Sequence, residues 1–162
     1  MMDALLPALA IGYLVSKKVS VSNFGRNLIK QFETLRLKAY PDSKGYSIGY
    51  GHYIKDGDGL TKDSVITKEQ AEKLFSQDVA EVYEAIAASV KVKLSQNQAD
   101  ALASFVYNIG VDAFKGSTLV KILNTGDYAG AADQFDRWVH SNKKVLPSLI
   151  ARRATEKALF LK

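Results

Sequence analysis

The stretch Phe32–His52 reads F-E-T-L-R-L-K-A-Y-P-D-S-K-G-Y-S-I-G-Y-G-H, and the rest of the chain is best read outward from it. Its first residues close a helix. Ser20 or Ser22 can cap a segment whose apolar positions Phe24, Leu28, Phe32 and Leu35 recur at spacings of three and four. Pro41, Asp42, Ser43, Lys44 and Gly45 supply a turn. From Tyr46 to Ile54 the residues alternate as in a strand, with Ile48, Tyr50, His52 and Ile54 on one side and Ser47, Gly49, Gly51 and Tyr53 on the other. The glycines mark a place where another backbone or a ligand comes close. Lys55 to Gly59 is a polar turn expected to close a hairpin. Helix end, turn and strand can bring Glu33, Asp42 and Ser47 around one cleft. Two carboxylates in unlike surroundings are what glycoside hydrolysis needs. An apolar pocket keeps one protonated for the leaving oxygen, and the other stays ionised to handle water or the oxocarbenium charge. Spacing alone favours the plainer reading, Glu33 as a solvated helix residue paired with Lys30 or Arg36, because two carboxylates near a turn are common.

Beyond this stretch the chain reads as helical. Thr67 and Gln70 form a capping box before an amphipathic helix marked by Leu74, Val79, Val82 and Ile86. Ser95 and Gln98 repeat the signal before an apolar helix, Ala99 to Ile109, that stops at Gly110. Ser117 starts another helix ending near Gly126, Asp127 caps one carrying Phe135 and Trp138, and Pro147–Ser148 opens the last. The expected class is α+β, mainly helical, with a small β-sheet lobe and a helical lobe around a cleft.

Composition narrows the chemistry. The chain has 162 residues, a net charge of +5 and a pI near 9.3, which favours an acidic partner: nucleic acid, an anionic membrane or a wall polymer. It has no cysteine and two histidines, so thiol chemistry, disulfides and three-histidine metal sites are excluded.

The string Phe32–His52 resembles the signature of the phage-type lysozymes, the glycoside hydrolases used as endolysins. The resemblance continues in Q-A-D-A-L-A-S-F-V-Y-N-I-G (Gln98 to Gly110), in A-F-K-G-S-T-L (Ala113 to Leu119), in Arg137–Trp138 and in Arg152–Arg153…Glu156. It implies hydrolysis of the β-1,4 bond between N-acetylmuramic acid and N-acetylglucosamine in bacterial peptidoglycan, for host lysis. A virion-borne lysozyme opening the wall at entry, or a wall-binding protein with a weakened site, are the alternatives. By the same resemblance Glu33 is the general acid, Asp42 assists water or stabilises positive charge, and Ser47 stands where the family has a threonine. Serine keeps a hydroxyl there. The loop from Asp42 is one residue shorter than in the family, which leaves open which face of the strand Ser47 occupies. Tyr53, Tyr107, Asn108 and Ser117 are the implied sugar-contacting residues, with helix packing the alternative for the last three. The implied protein is a monomer that needs no metal or organic cofactor and binds peptidoglycan rather than nucleic acid.

Three further features read more simply. His52 is expected to pair with a carboxylate and hold the sheet, and Trp138 to sit in the core. Asp56-Gly57-Asp58-Gly59 is a polar turn, because Leu60, Thr61 and Thr67 break the calcium-loop pattern. Arg152 and Arg153 are expected on a helix surface, pairing with Glu156 or touching an anionic wall. The catalytic domain is placed at residues 23–162, after an N-terminal segment, residues 1–22. Within that segment Ala4 to Val15 (ALLPALAIGYLV) is apolar but shorter than the roughly 20 residues that span a bilayer. It is expected to dock or lie at an interface, with a weak membrane anchor or signal-anchor-type export as the alternative. Either way the protein is made in the host cytoplasm and acts on the wall in the periplasm.

Overall fold

The computed structural model describes residues 20–162. The apolar run Ala4 to Val15, with its docking and export readings, lies outside the described residues. Val21 and Ser22, read from sequence as the end of that segment, belong to the body. Val21 is buried in the core, and Ser22 caps helix α1 (Asn23–Glu33), accepting from the Gly25 N–H at 3.2 Å. Both Ser22 donors go to the buried Asp100, the backbone N–H at 2.9 Å and the hydroxyl closer still. α1 buries Leu28 and Ile29, whereas Phe24 is 61% exposed and Leu35 lies past the helix end.

The sheet differs from the single strand expected over 46–54. It has three antiparallel strands in the order β1 (Arg36–Asp42), β2 (Gly45–Gly49) and β3 (His52–Tyr53). Tyr40 pairs with Ser47, Asp42 with Gly45, and Ser47 with Tyr53. Gly49 and Gly51 both take positive φ (68° and 73°), which breaks the alternation and folds β3 back on β2. Pro41 is therefore a strand residue, tolerated because β1 is an edge. The turn Lys55 to Gly59 closes no hairpin. The chain runs on to Val65, which bridges Lys38, while Ile66 N–H donates to the Leu37 carbonyl at 2.8 Å.

Helix α2 (Lys68–Ser89) opens with the Thr67–Gln70 capping box and runs about 33 Å at 1.5 Å per residue. Helix α3 (Gln96–Ile109) opens with the Ser95–Gln98 box and is buried from Ala99 to Val106. It packs against α1, α2 and the last helix, which makes it the centre of the helical lobe. Then come α4 (Val111–Lys115), α5 (Thr118–Leu123) and α6 (Tyr128–Gln134). A 3-10 turn over Phe135–Arg137 follows, so Trp138 falls just beyond the helix that was expected to carry it. A small hairpin, β4 (His140–Ser141) and β5 (Lys144–Val145), leads into α7 (Pro147–Leu161). Phe105, Phe135, Trp138 and Phe160 form an aromatic cluster with ring centroids 4.9–5.7 Å apart. The class is α+β with helix dominant, as the sequence pattern implies.

Candidate active site

Glu33 is the last residue of α1, and Thr34 turns the chain through a left-handed conformation (φ 58°) into β1. The β2–β3 turn closes over its carboxyl. A side chain at Gly51 would collide with Glu33 Oε2, so the close approach signalled by the strand glycines is made by Glu33 itself. On the other side Arg152 of α7 donates from Nη1 to Oε1 at 2.6 Å. The same guanidinium lies 4.9 Å from the Phe32 ring centre and donates from Nη2 to the Ser104 carbonyl at 3.0 Å. Burial raises the Glu33 pKa above the ordinary carboxyl value. Arg152 and Arg153 oppose that, Asp42 reinforces it, and burial prevails. Neither Lys30 nor Arg36 pairs with Glu33: Lys30 binds Glu72 at 2.7 Å, and Arg36 stacks 4.3 Å from the Tyr40 ring centre.

Asp42 ends β1 in the open. Its Oδ2 accepts from Ser47 Oγ at 2.8 Å, and its Oδ1 from the Ser43 N–H at 2.6 Å. Ser47 is fully buried, so its hydroxyl addresses Asp42 and not solvent. Ser47 therefore sits on the Asp42 side of β2. The two carboxyls differ as the chemistry requires: one enclosed with raised proton affinity, one exposed and held by hydrogen bonds. Tyr40 is the neighbour that sequence reasoning missed. Its phenol pKa is raised by burial first and by the charges of Glu33 and Asp42 next. Recognising β1 as a strand would have placed it opposite Ser47.

The facing wall comes from α3. Tyr107 donates its hydroxyl to the Tyr50 carbonyl, tying the helical lobe to the β2–β3 turn. Asn108 is exposed and its Oδ1 accepts from Arg153. Tyr53, 44% exposed, donates to the Lys44 carbonyl at 2.9 Å. A groove bounded by Gly51 and Tyr53 on the sheet side and by Asp78, Val82, Tyr107 and Val111 on the helical side lies beside the site, and neither Glu33 nor Asp42 lines it. Ser117 does not join this wall. It is 4% exposed, donates to the Phe114 carbonyl at 2.7 Å and accepts from the Val120 N–H at 3.2 Å, so its hydroxyl is spent capping α5.

His52 is structural, as expected, but holds two carboxylates: Nδ1 meets Asp78 at 2.8 Å and Nε2 meets Asp58 at 3.0 Å. Asp58 also accepts from the Lys55 and Leu60 N–H groups, both at 3.1 Å, which makes Asp56 to Gly59 a hydrogen-bonded polar turn. The arginine pair of α7 corrects the surface expectation. Arg152, Arg153 and Glu156 are all buried, with Glu156 Oε1 3.1 Å from Arg153 Nε and Oε2 3.5 Å from Arg152 Nε. Neither arginine can lie against a wall polymer.

The phage lysozyme family profile matches residues 30–156. An endolysin of Bacillus phage PZA is 47% identical over 145 residues, covering 88% of this chain and 55% of its own. The chain thus spans about half the length of that relative. The endolysin of Salmonella phage P22 is 43% identical over 145 residues, 88% of this chain and 99% of its own. A SAR-endolysin of Bacteriophage PS119 is 31% identical over 160 residues, 98% of this chain and 93% of its own. Among solved structures, the muramidase domain of SpmX from Asticaccaulis excentricus superposes with a TM-score of 0.79 at 39% identity, covering 89% of this chain and 99% of that one.

Proposed function

The chain belongs to the phage lysozyme family, and on that ground we propose that it is a muramidase. It hydrolyses the β-1,4 bond between N-acetylmuramic acid and N-acetylglucosamine in bacterial peptidoglycan and so lyses the host. The observation that carries this reading is the buried Glu33 carboxyl, its pKa raised, set against the exposed Asp42. Glu33 gives its proton to the leaving glycosidic oxygen as the C–O bond breaks. Its new negative charge is taken up by Arg152, already in contact at 2.6 Å. Asp42 faces the developing positive charge on the sugar or orients the incoming water, and Ser47 holds the Asp42 carboxylate in that position. Tyr53, Tyr107 and Asn108 line the approach for the sugar chain. The enzyme works as a monomer.

The apolar run Ala4 to Val15 serves export to the periplasm. The support is the alignment to the PS119 SAR-endolysin, which at 98% of this chain must extend through that run. Among the described residues no helix is long and apolar enough to cross a membrane.

Glu33→Gln keeps the shape of the side chain and removes the transferable proton. Clearing of purified peptidoglycan should slow by roughly two or more orders of magnitude, with the circular dichroism spectrum unchanged. Clearing at the parent rate would sink the assignment.

A further inference from the structure

Beyond Glu33, the buried charges continue inward along α7. Arg152 meets Glu33 at one end of its guanidinium and Glu156 at the other, 3.5 Å from Nε. Arg153 lies 3.1 Å from the second oxygen of Glu156 and donates to Asn108. Glu156 is 0% exposed, Arg153 0% and Arg152 4%, so water does little to screen these charges from one another. Burial raises the Glu156 pKa and the charges of Arg153 and Arg152 oppose that; with Glu33 and Glu156 both ionised the four groups sum to zero. The proposed reaction, however, needs Glu33 protonated at the moment of proton transfer, and then two guanidiniums face the single charge of Glu156.

We propose that Glu156 is a positioning residue for the reaction: its carboxylate lies within ion-pair distance of the Nε atoms of Arg152 and Arg153 and supplies the negative charge against which Glu33 exchanges its proton. Without that charge, protonating Glu33 would leave two buried guanidiniums with no counter-ion. Glu33 would then stay ionised at neutral pH and could not act as an acid. With it, Arg152 has a second partner to rest on while Glu33 is neutral, and it returns to Glu33 once the proton has gone. The other charged or titratable groups facing Glu33 are Asp42 and Tyr40 from β1 and Tyr107 from α3. None of these contacts the guanidinium Nε atoms, so none can replace Glu156. The inference rests on Glu33 being the general acid.

The test is Glu156→Gln, which keeps size and amide hydrogen bonding but removes the charge. Carbon-13 labelling of the glutamate carboxyls reports the Glu33 titration directly, without reference to activity. The Glu33 pKa should fall by roughly one unit or more, and the alkaline limb of peptidoglycan clearing should move down with it. A folded variant whose Glu33 titrates as in the parent overturns the proposal. If Glu156→Gln does not fold, the parent protein decides. Glu156 must then remain ionised across the whole range in which Glu33 titrates, and a Glu156 signal protonated there overturns the proposal. Failure of the general-acid reading would show separately, as a Glu33→Gln variant that still clears peptidoglycan.

Discussion

Ser47 has its hydroxyl engaged with Asp42 and its side chain fully buried, so the part proposed for it in the reaction runs through that carboxylate. Ser47→Ala frees Asp42 to swing, and small errors in placement are costly: turnover should fall by at least roughly tenfold. Asp42→Asn should fall further, and the double variant should be little worse than Asp42→Asn, as for groups that act as a unit. A Ser47→Ala enzyme within a few-fold of the parent would leave the hydroxyl a purely structural part of the strand. At this scale the nearness of Asp42 to Glu33 and to Ser47 was legible, because the three lie within fifteen residues of one another. It was not legible for Arg152, which reaches Glu33 across 119 positions. Two arginines and a glutamate at helical spacing look like a solvated face. Only the packing of α7 on α3 makes them interior. Ser117 failed for a related reason, since a serine that opens a helix can spend its hydroxyl on the cap.

The loop after β3 depends on His52, which fastens it to α2 through Asp58 and Asp78. The hydrogen bond to Asp78, with help from Asp58, raises the His52 pKa above 6.5 in spite of burial. Asp58 is held below 3.8: burial acts upward, but the hydrogen bonds from His52, Lys55 and Leu60 outweigh it. A histidine whose folded pKa is raised stabilises fully below its unfolded value, and that stability is lost as pH rises through the folded value. For Asp58 the loss comes as pH falls through its own lowered value. Replacing His52 by Gln should therefore lower the melting temperature most between about pH 4 and 6.5. Hydrogen bonds to charged groups are worth roughly 1.5–3 kcal/mol, or several degrees at about 2–4 °C per kcal/mol. Melting curves of both proteins across pH would show the gap narrowing on either side, and a gap independent of pH would remove the charged pair from the account. The helices were legible because capping boxes and a 3.6-residue period are local. The sheet was less so. β1 is mostly exposed, so no buried face imposes alternation, and Pro41 at its edge reads as a turn. Gly49 and Gly51 bend what alternation alone presents as one strand.

The whole molecule carries a net charge of +5, which draws it toward an anionic wall over distances set by salt. Screening sets in over about 8 Å at physiological ionic strength. Lysis of intact wall should therefore fall as salt rises, while cleavage of a short neutral oligosaccharide should change little. Equal responses would take long-range attraction out of the description. The two-lobed architecture was legible because one short sheet-forming stretch precedes a long run of helix signals. The groove between the lobes was not, since the Tyr107 contact with Tyr50 joins residues 57 positions apart. The clamp at the start of α1 also has a mechanical meaning. Ser22 is fixed to Asp100, and the Ser20 carbonyl accepts from Gln96, so two contacts tie this end of the chain to α3. A pull on the chain from its N-terminal side is therefore shared between α1, which Ser22 caps, and α3. The sheet that carries Asp42 makes neither contact, so a load applied at Ser20–Ser22 reaches α1 and α3 before it reaches β1.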